Sequence, residues 1–281
     1  MQKILFALLA VVLFVPLTNS GSSVFAEKEE FSRGESVNVK VMSYNIHHAE
    51  GEDGILNLER IAQVIEGTDA DIIGLQEVDK HWSSRSDFKD QAKLLAERLG
   101  MFYTYAANLD YESSKEDAAN RQYGTAILSR YPIIDSVNHS LPKIGNTEQR
   151  GLLEATINVK GTHLQFYNTH LALTSEERNM QIKEIIDIAG RSDGPKVIMG
   201  DLNAAPTSEE MRAMYTHYSD AFAGQNKAYT YSATNPTKRI DYIFTSKDMK
   251  TKNGQVIETL ASDHLPITLE ITLDRSEPYY K

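Results

Sequence analysis

The 281-residue chain has no cysteine, a single tryptophan and no excess of positive charge: 29 Lys and Arg stand against 39 Asp and Glu, a formal net charge of −10. Without Cys there is no disulfide framework, no thiol nucleophile and no lipid-modified cysteine anchor, so the folded part must be held together by its core. The acidic balance argues against a surface built to hold polyanions, although a local basic groove or bound divalent cations can reverse the field at one site. Also missing are a GxSxG elbow, an HExxH helix and a Walker loop, which removes the usual motifs of serine hydrolases, zincins and P-loop enzymes.

What is present is an ordinary globular composition, 41% hydrophobic and 24% charged, with 16 Gly and 8 Pro, long enough for one large domain with a real core. The start differs from the rest. Lys3 precedes the apolar run "ILFALLAVVLFVPL" from Ile4 to Leu17, followed by "TNSGSS" and "VFA" up to Ala26. A charged start, a short apolar middle and small residues at the end read as a secretory signal peptide over residues 1–26. The run is shorter than the roughly 20 residues that span a bilayer comfortably, and Pro16 interrupts it, which argues against a membrane anchor. Residues 27–36, "EKEEFSRGES", read as a flexible leader, and residues 37–281 as a single domain. The expectation is a secreted, extracellular monomer with no stable membrane insertion once the signal peptide is removed.

Along the domain, "VNVKVMSYN" alternates as a strand, and Leu58, Ile61, Ala62 and Ile65 fall at helical spacing with Gly67 as the expected stop. "DIIGLQE" reads as a short strand ending in Glu77. A second helix is expected near Asp87 to Leu99, with Phe88, Ala92, Leu95 and Leu99 on its inner face and Gly100 as terminator. "GTAILSR", "LLEATINV" and "HLQFYNTHL" read as strands, the last two joined by a turn at Lys160-Gly161-Thr162. A third helix begins at Thr174, a cap answered by Glu177, and buries Ile182, Ile185, Ile186 and Ala189. "KVIMGDLN", a short helix around Ser208 to Tyr215, and strands at "RIDYIF", "GQVIETL" and "PITLEITL" complete the chain. Many strands with interleaved helices imply an α/β or α+β sandwich, two facing sheets with helices outside.

Several of these strands end in the same kinds of polar residue: Asn45 and His47, Glu77, Asn168 and His170, Asp201 and Asn203, Asp241, and the pair Asp263-His264 in "SDHLPI". Residues two apart on a strand project to one face, so each spaced pair can present two groups to one cleft. Singly, each is as well explained by a cap or a solvated strand end. Their recurrence at apolar strand ends points to a site. Hard oxygen donors such as Glu77 suit Mg²⁺ or Mn²⁺, amides can bind phosphate oxygens, and a carboxylate-held His can exchange protons near neutral pH. The inventory fits metal-assisted phosphoryl transfer.

In order, "MSYNI", "DIIGLQEV", "YGTAILSRYPI", "NTHL", "GDLNAAP", "RIDYIF" and "SDHLPI" resemble the motifs of the endonuclease/exonuclease/phosphatase superfamily, in particular its deoxyribonuclease, neutral sphingomyelinase and inositol polyphosphate 5-phosphatase branches. The resemblance implies a four-layered αββα sandwich of two facing mixed β-sheets and a Mg²⁺ or Mn²⁺ ion in a cleft at one end of them. It further implies Glu77 as principal metal ligand with Asn45 beside it and Asp263 near the metal, directly or through water. Asp201 and Asn203 would orient water and phosphate, His170 would donate to a phosphoryl oxygen, and His264 would pair with Asp241, proton transfer being shared between Asp201 and His264. Arg150 and Tyr123 sit where family members place phosphate contacts. One departure is His47, which occupies a position that is acidic in abasic-site endonucleases. The implied activity is in-line attack of water on phosphorus by a phosphodiesterase of nuclease or phospholipid-headgroup type, or by a phosphomonoesterase of sugar or inositol phosphates. A catalytically silent scaffold would show erosion of Glu77, Asp201, Asp241 or His264, and all four are present. The partner is a phosphorylated substrate: nucleic acid, lipid headgroup or sugar phosphate. Trp82, Tyr229 and Tyr231 fall in loops expected to rim the cleft, where stacking on substrate and packing of the loop itself are both open.

Overall fold

The computed structural model describes residues 35–113, 118–225 and 227–275. The signal-peptide reading and most of the leader (27–36) lie outside the described residues. Within them the chain runs β1 (Val37–Asn45), α1 (Leu58–Thr68), β2 (Ile72–Lys80), α2 (Gln91–Leu99), β3 (Phe102–Tyr111), β4 (Arg121–Ser129), β5 (Ile133–Ser140), β6 (Gly151–Val159) and β7 (Thr162–His170). There follow α3 (Ser175–Ala189), β8 (Lys196–Asp201), α4 (Glu209–His217), β9 (Ser219–Asp220), β10 (Asp241–Thr245), β11 (Lys250–Val256) and β12 (Ile267–Leu273).

The strands form two six-stranded sheets, ordered β11-β12-β1-β2-β4-β3 and β5-β6-β7-β8-β10-β9. Both are mixed: β1 runs parallel to β2, β7 runs parallel to β8, and the other pairings are antiparallel. Alternation along each strand then divides the apolar residues among three packed layers. Val39 and Val41 of β1 meet Leu164 and Phe166 of β7, Val197 and Met199 of β8 and Ile243 of β10 between the sheets. Met42 and Tyr44, on the opposite face of β1, pack against Ile61, Ala62 and Ile65 of α1 and Ala92 and Leu95 of α2. Tyr167, Ile198, Tyr242 and Phe244 do the same for Ile182, Ile185 and Ile188 of α3 and Met211 and Met214 of α4. The result is the four-layered αββα sandwich expected from the motifs.

One polar residue pins the two sheets together. Asn168 of β7 is fully buried and donates from Nδ2 to Leu75 O at 2.8 Å and Ala126 O at 2.9 Å in the opposite sheet, while its Oδ1 accepts Gln76 Nε2 at 2.7 Å. It is therefore a strut between the sheets, and of the spaced pair in "NTH" only His170 is left for the cleft.

Local differences from the sequence reading have identifiable causes. α1 runs through Gly67 and stops when Asp69 takes a left-handed conformation, φ 54°. α2 starts at Gln91 because Asp90 accepts Lys93 N–H as its N-cap. Phe88 therefore lies in the preceding loop with φ 53° and is 55% exposed, not on the inner face of the helix. β5 escaped the sequence reading because it is an edge strand exposed along almost its whole length, so no burial alternation marks it. The Lys160-Gly161 turn is as expected: both residues have positive φ, 50° and 94°, between paired Val159 and Thr162, the geometry a two-residue hairpin requires.

Candidate active site

The inter-sheet register places the polar residues. On β1, β7, β8 and β10 the faces turned to the opposite sheet are mainly apolar, with Ser43 and the strut Asn168 as buried polar members, and at the site end of each strand stands a polar group: Asn45, His170, Asp201 and Asp241. Because β10 runs antiparallel to β8, its first residue, Asp241, pairs with the last of β8, Asp201, and His170 of β7 is level with them. β12 runs antiparallel to β1, so the segment Ser262–Pro266 arrives at the same end of the sandwich. Four strands and one incoming loop converge there.

Gly200 makes the approach of Asp201 possible. Its φ is 148°, and a Cβ at that position would lie 1.9 Å from Thr169 O on the neighbouring strand. No other residue type fits the "GDLN" position without displacing β7.

Glu77 is aimed by a different device. The pairing of β2 with β4 slips between Leu75 and Val78, and Glu77 in the slip has φ 57°. Leu75 and Val78 both face the helices although they are three apart, so the bulge reverses the parity of the strand and frees Glu77 from the alternation. A non-glycine residue held at positive φ at a strand bulge costs stability and is commonly retained at functional sites.

Asn45 joins the two halves of the cleft. Its Nδ2 donates to Glu77 Oε1 at 3.0 Å and to Asp201 Oδ2 at 3.1 Å, and its Oδ1 accepts His47 N–H at 3.1 Å. A flipped amide would set its oxygen against two carboxylates, so this orientation is the one the neighbours permit. One lone pair of Asn45 Oδ1 is thereby taken by its own chain, and the side chain stands as an organiser between Glu77 and Asp201.

On one side of Asn45 lies a buried network. His264 Nδ1 pairs with Asp241 Oδ2 at 2.9 Å, and its Nε2 lies 3.6 Å from Asp201 Oδ2. His170 Nε2 approaches the same Asp201 oxygen at 3.4 Å. All four side chains are at least 94% buried. Burial pushes the Asp201 carboxyl up to about 7, with Asp241 and Glu77 adding to it and His264 opposing. Burial works against charging His264, but Asp241, through its charge and its hydrogen bond, together with Asp201 and Asp263, lifts it to about 10. His170 moves the other way: burial first, then the nearby charges of Arg150 and His264, hold it well below the usual imidazole range. At neutral pH the cluster thus contains a charged imidazole, a neutral one and a carboxyl poised to exchange a proton.

Asn203, φ 50°, donates its backbone N–H to Asp201 Oδ1 at 2.9 Å and its Nδ2 to Leu171 O at 3.0 Å. Tyr231 packs its ring 4.9 Å from that of His264, so it serves as a wall of the buried network. Asp263 accepts Ser262 Oγ at 3.4 Å and lies 4.0 Å from His47 Nδ1, while Ser262 is anchored to Asn45 O at 2.8 Å. It sits on the flank of the Glu77 end, against His47.

On the other side of Asn45, Glu77 is joined by His47 and His48: one donor atom from each lies within 4.8 Å of the others. The sequence groups His47 with the strand-end polar residues and leaves open whether it or His48 reaches the site; the doubled His just after the strand-end Asn is the available signal. Arg150, expected as a solvated charge if not a phosphate contact, is only 6% exposed, pairs with Glu148 at 3.1 Å, and leaves its Nε without a hydrogen-bond partner among the described residues. Tyr123 is half-buried, its phenol pushed far up by burial and by Glu77 and Glu148, so it remains a hydrogen-bond donor. It stands with Trp82, ring centroids 5.8 Å apart, around the Arg85 guanidinium, which Asp79 grips through two hydrogen bonds of 2.8 and 2.7 Å. The Arg85 fork is thereby committed to Asp79 and not free for a substrate phosphate.

Two facing mixed sheets with a carboxylate and imidazole cleft at one end define the class, and comparison with known proteins places the chain within it. Residues 42–264 match the Endonuclease/Exonuclease/phosphatase family, and the chain belongs to that family. It is 26% identical over 184 residues to a phospholipase C of Staphylococcus aureus, covering 55% of this chain and 56% of that protein. It is 28% identical over 143 residues to the protein cwh43 of Schizosaccharomyces pombe, covering 50% of this chain and 14% of that one. The matches thus span little more than half of the first relative and a small part of the second. Among solved structures, a mannosyl-6-phosphatase of Bacteroides thetaiotaomicron superposes with a TM-score of 0.66 at 22% identity, covering 83% of this chain and 99% of that one; at this identity the likeness is one of fold. Members of the family hydrolyse phosphoesters.

Proposed function

We propose that the chain is an exported, divalent-metal-dependent phosphodiesterase whose substrates are small diesters of the phospholipid-headgroup type. The observation that carries the hydrolase reading is the hydrogen-bonded bridge from Glu77 through Asn45 to Asp201, with His264 and Asp241 behind it. It sets an accessible carboxylate next to a buried proton-exchanging network, the two components that water attack on phosphorus needs. A divalent cation held at Glu77 would neutralise charge that builds on the phosphoryl oxygens. Asp201, poised near 7, is the proton acceptor for the attacking water; the His264 cation, oriented by Asp241, and the neutral His170 face the phosphoryl and leaving oxygens. Arg150, buried beside His170, supplies fixed positive charge to the phosphate.

The residues fit a divalent cation at the Glu77 end better than at Asp201, Asp241 and His264. The latter three also lie within 4.8 Å of one another, but their donor atoms are already spent on each other and on Asn45. The diester preference rests on the phospholipase C relative and on the acidic net charge, which disfavours a long polyanionic substrate. Export rests on the amino-terminal pattern; among the described residues no helix is long and apolar enough to cross a membrane.

Purified protein lacking residues 1–26, assayed with Mg²⁺, Mn²⁺ and with chelator against a diester chromogen, phospholipid vesicles, plasmid DNA and sugar phosphates, tests this reading. Metal-dependent turnover of the diester and of lipid headgroups is expected. Turnover confined to sugar phosphates would replace it with the monoesterase reading, and none on any substrate would end the enzyme reading.

A further inference from the structure

We propose that the cation site of this chain is a mixed nitrogen and oxygen site, in which His47 and His48 join Glu77 and select a first-row transition cation over Mg²⁺. The inference rests on the metal-dependent reading above and deepens it by naming the donors and the class of ion.

Geometry gathers the donors. One nitrogen of each imidazole and one Glu77 oxygen all lie within 4.8 Å of one another, close enough for small side-chain rotations to bring all three to the roughly 2 Å that an ion requires. The backbone holds them there at a cost: His47, His48 and Ala49 have consecutive positive φ values of 44°, 43° and 67°. Single non-glycine residues visit this region, but runs of three do so rarely, and such conformations persist where the surroundings enforce them. The enforcement is visible, since His47 N–H is bonded to Asn45 Oδ1, and His48 O accepts Gln91 Nε2 at 2.6 Å from α2. The same Asn45 that positions Glu77 therefore also positions the turn that carries the two imidazoles.

An independent observation points to a missing partner. The His48 side chain is 91% buried, and its Nδ1 has no hydrogen-bond partner among the described residues. A buried imidazole nitrogen without a partner is uncommon and asks for an explanation. Its other nitrogen, Nε2, lies 3.6 Å from a Glu50 oxygen, beyond a hydrogen bond but near enough for that carboxylate to move in behind a ligating imidazole. His47, a third exposed, faces Asp263 at 4.0 Å in the same way. Burial, and then the nearby Arg85 guanidinium held by the buried Asp79, keeps the His48 imidazole in the neutral form that can ligate, while Glu50 acts in the opposite sense.

Donor chemistry then fixes the class of ion. Mg²⁺ takes oxygen ligands in a rigid octahedron and keeps several waters, whereas imidazole suits Zn²⁺, Co²⁺ and related ions, whose affinity for nitrogen donors exceeds that of Mn²⁺ in the usual order. Two imidazoles and one carboxylate leave open positions for water and a phosphoryl oxygen.

The test is X-ray absorption on the Zn²⁺-loaded and Mn²⁺-loaded protein lacking residues 1–26, joined to calorimetric titration of Zn²⁺, Mn²⁺ and Mg²⁺ into the parent and into His47→Asn and His48→Asn. The expected result is imidazole scattering from two ligands, Zn²⁺ binding at least about tenfold tighter than Mg²⁺, and loss of that preference in each variant with Mg²⁺ affinity nearly unchanged. Should His48→Asn fail to fold, the absorption spectrum of the parent and His47→Asn, at the more exposed of the two imidazoles, decide alone. An all-oxygen shell, or a Zn²⁺ preference that survives both substitutions, overturns the proposal. Diester turnover in Mg²⁺ reports on the parent reading separately: turnover with an all-oxygen shell removes only the nitrogen site, and a parent protein with no turnover in any cation removes the hydrolase reading whatever the shell.

Discussion

The two sides of Asn45 are built to opposite specifications. Toward Asp201 the groups are almost wholly buried, come from strand ends and satisfy one another: Asp241 holds His264, and Asn203 N–H and Asn45 cap Asp201. Toward Glu77 the groups come from a bulge and a left-handed turn, stand partly open to solvent, and include a buried nitrogen with no partner. Apart from Arg150 Nε, the first side satisfies itself within the protein, as low dielectric demands of a buried polar cluster. The second, on the proposed reading, is completed by a bound cation. On that reading one side handles protons and the other charge, with a single amide between them.

Substitutions that separate the two sides test the division. The largest effect is expected from Asp201→Asn and His264→Ala, each lowering diester turnover by about 10²–10⁴-fold. Cation affinity, read by titration, should stay within a few-fold of the parent. Glu77→Gln should do the reverse in binding, weakening the cation by at least about 100-fold, so that turnover falls but recovers partly at high metal concentration.

The pH profile sharpens the same contrast. Asp201 must be ionised to accept a proton, so turnover should fall below about 7 as it takes one up. His264 must stay charged, so turnover should fall again above about 10 as it deprotonates. A rate profile with saturating metal should therefore rise through the first value and decline through the second, and Asp241→Asn should move the basic limb to lower pH, since it removes the charge that lifts His264. A single flat profile from pH 6 to 11 would contradict the assignment of both groups.

The smallest effect on chemistry is expected from the strut. Asn168→Ala takes the side-chain donor from two carbonyls inside the sandwich, at about 1–3 kcal/mol for each group left unsatisfied, while Gln76 Nε2 keeps Gly74 O and Ser43 Oγ. Denaturant unfolding should show a loss of a few kcal/mol, with the cation preference of the folded fraction unchanged.

Sequence periodicity located the strands that carry the site, because apolar alternation in "VNVKVMSYN" or "HLQFYNTHL" is the same property that faces Asn45 and His170 to the opposite sheet. It also showed that polar residues cluster at strand ends. It did not show which ends meet. That depends on β10 running antiparallel to β8, and only the ordered motifs of the family supplied the Asp241 to His264 pairing across 23 positions. Glu77 was legible as a strand-end acid but its aim was not, since a bulge breaks the period of two on which the reading depends. Asn168 looked like a cleft residue for the opposite reason: it obeys the alternation and faces inward, where it is used as a strut. The imidazole turn was the least legible part. Nothing in "NIHHAE" announces three consecutive left-handed residues, and the missing partner of His48 is a fact of packing.

The most direct test is Mn²⁺ titration of three proteins side by side: the parent, Glu77→Gln and His264→Ala. If the cleft is divided as described, His264→Ala binds the cation as the parent does while turning over diester about 10²–10⁴-fold more slowly, and Glu77→Gln binds it at least about 100-fold more weakly. If instead His264→Ala loses the cation and Glu77→Gln keeps it, the metal lies among Asp201, Asp241 and His264, and the assignment of the two sides is wrong.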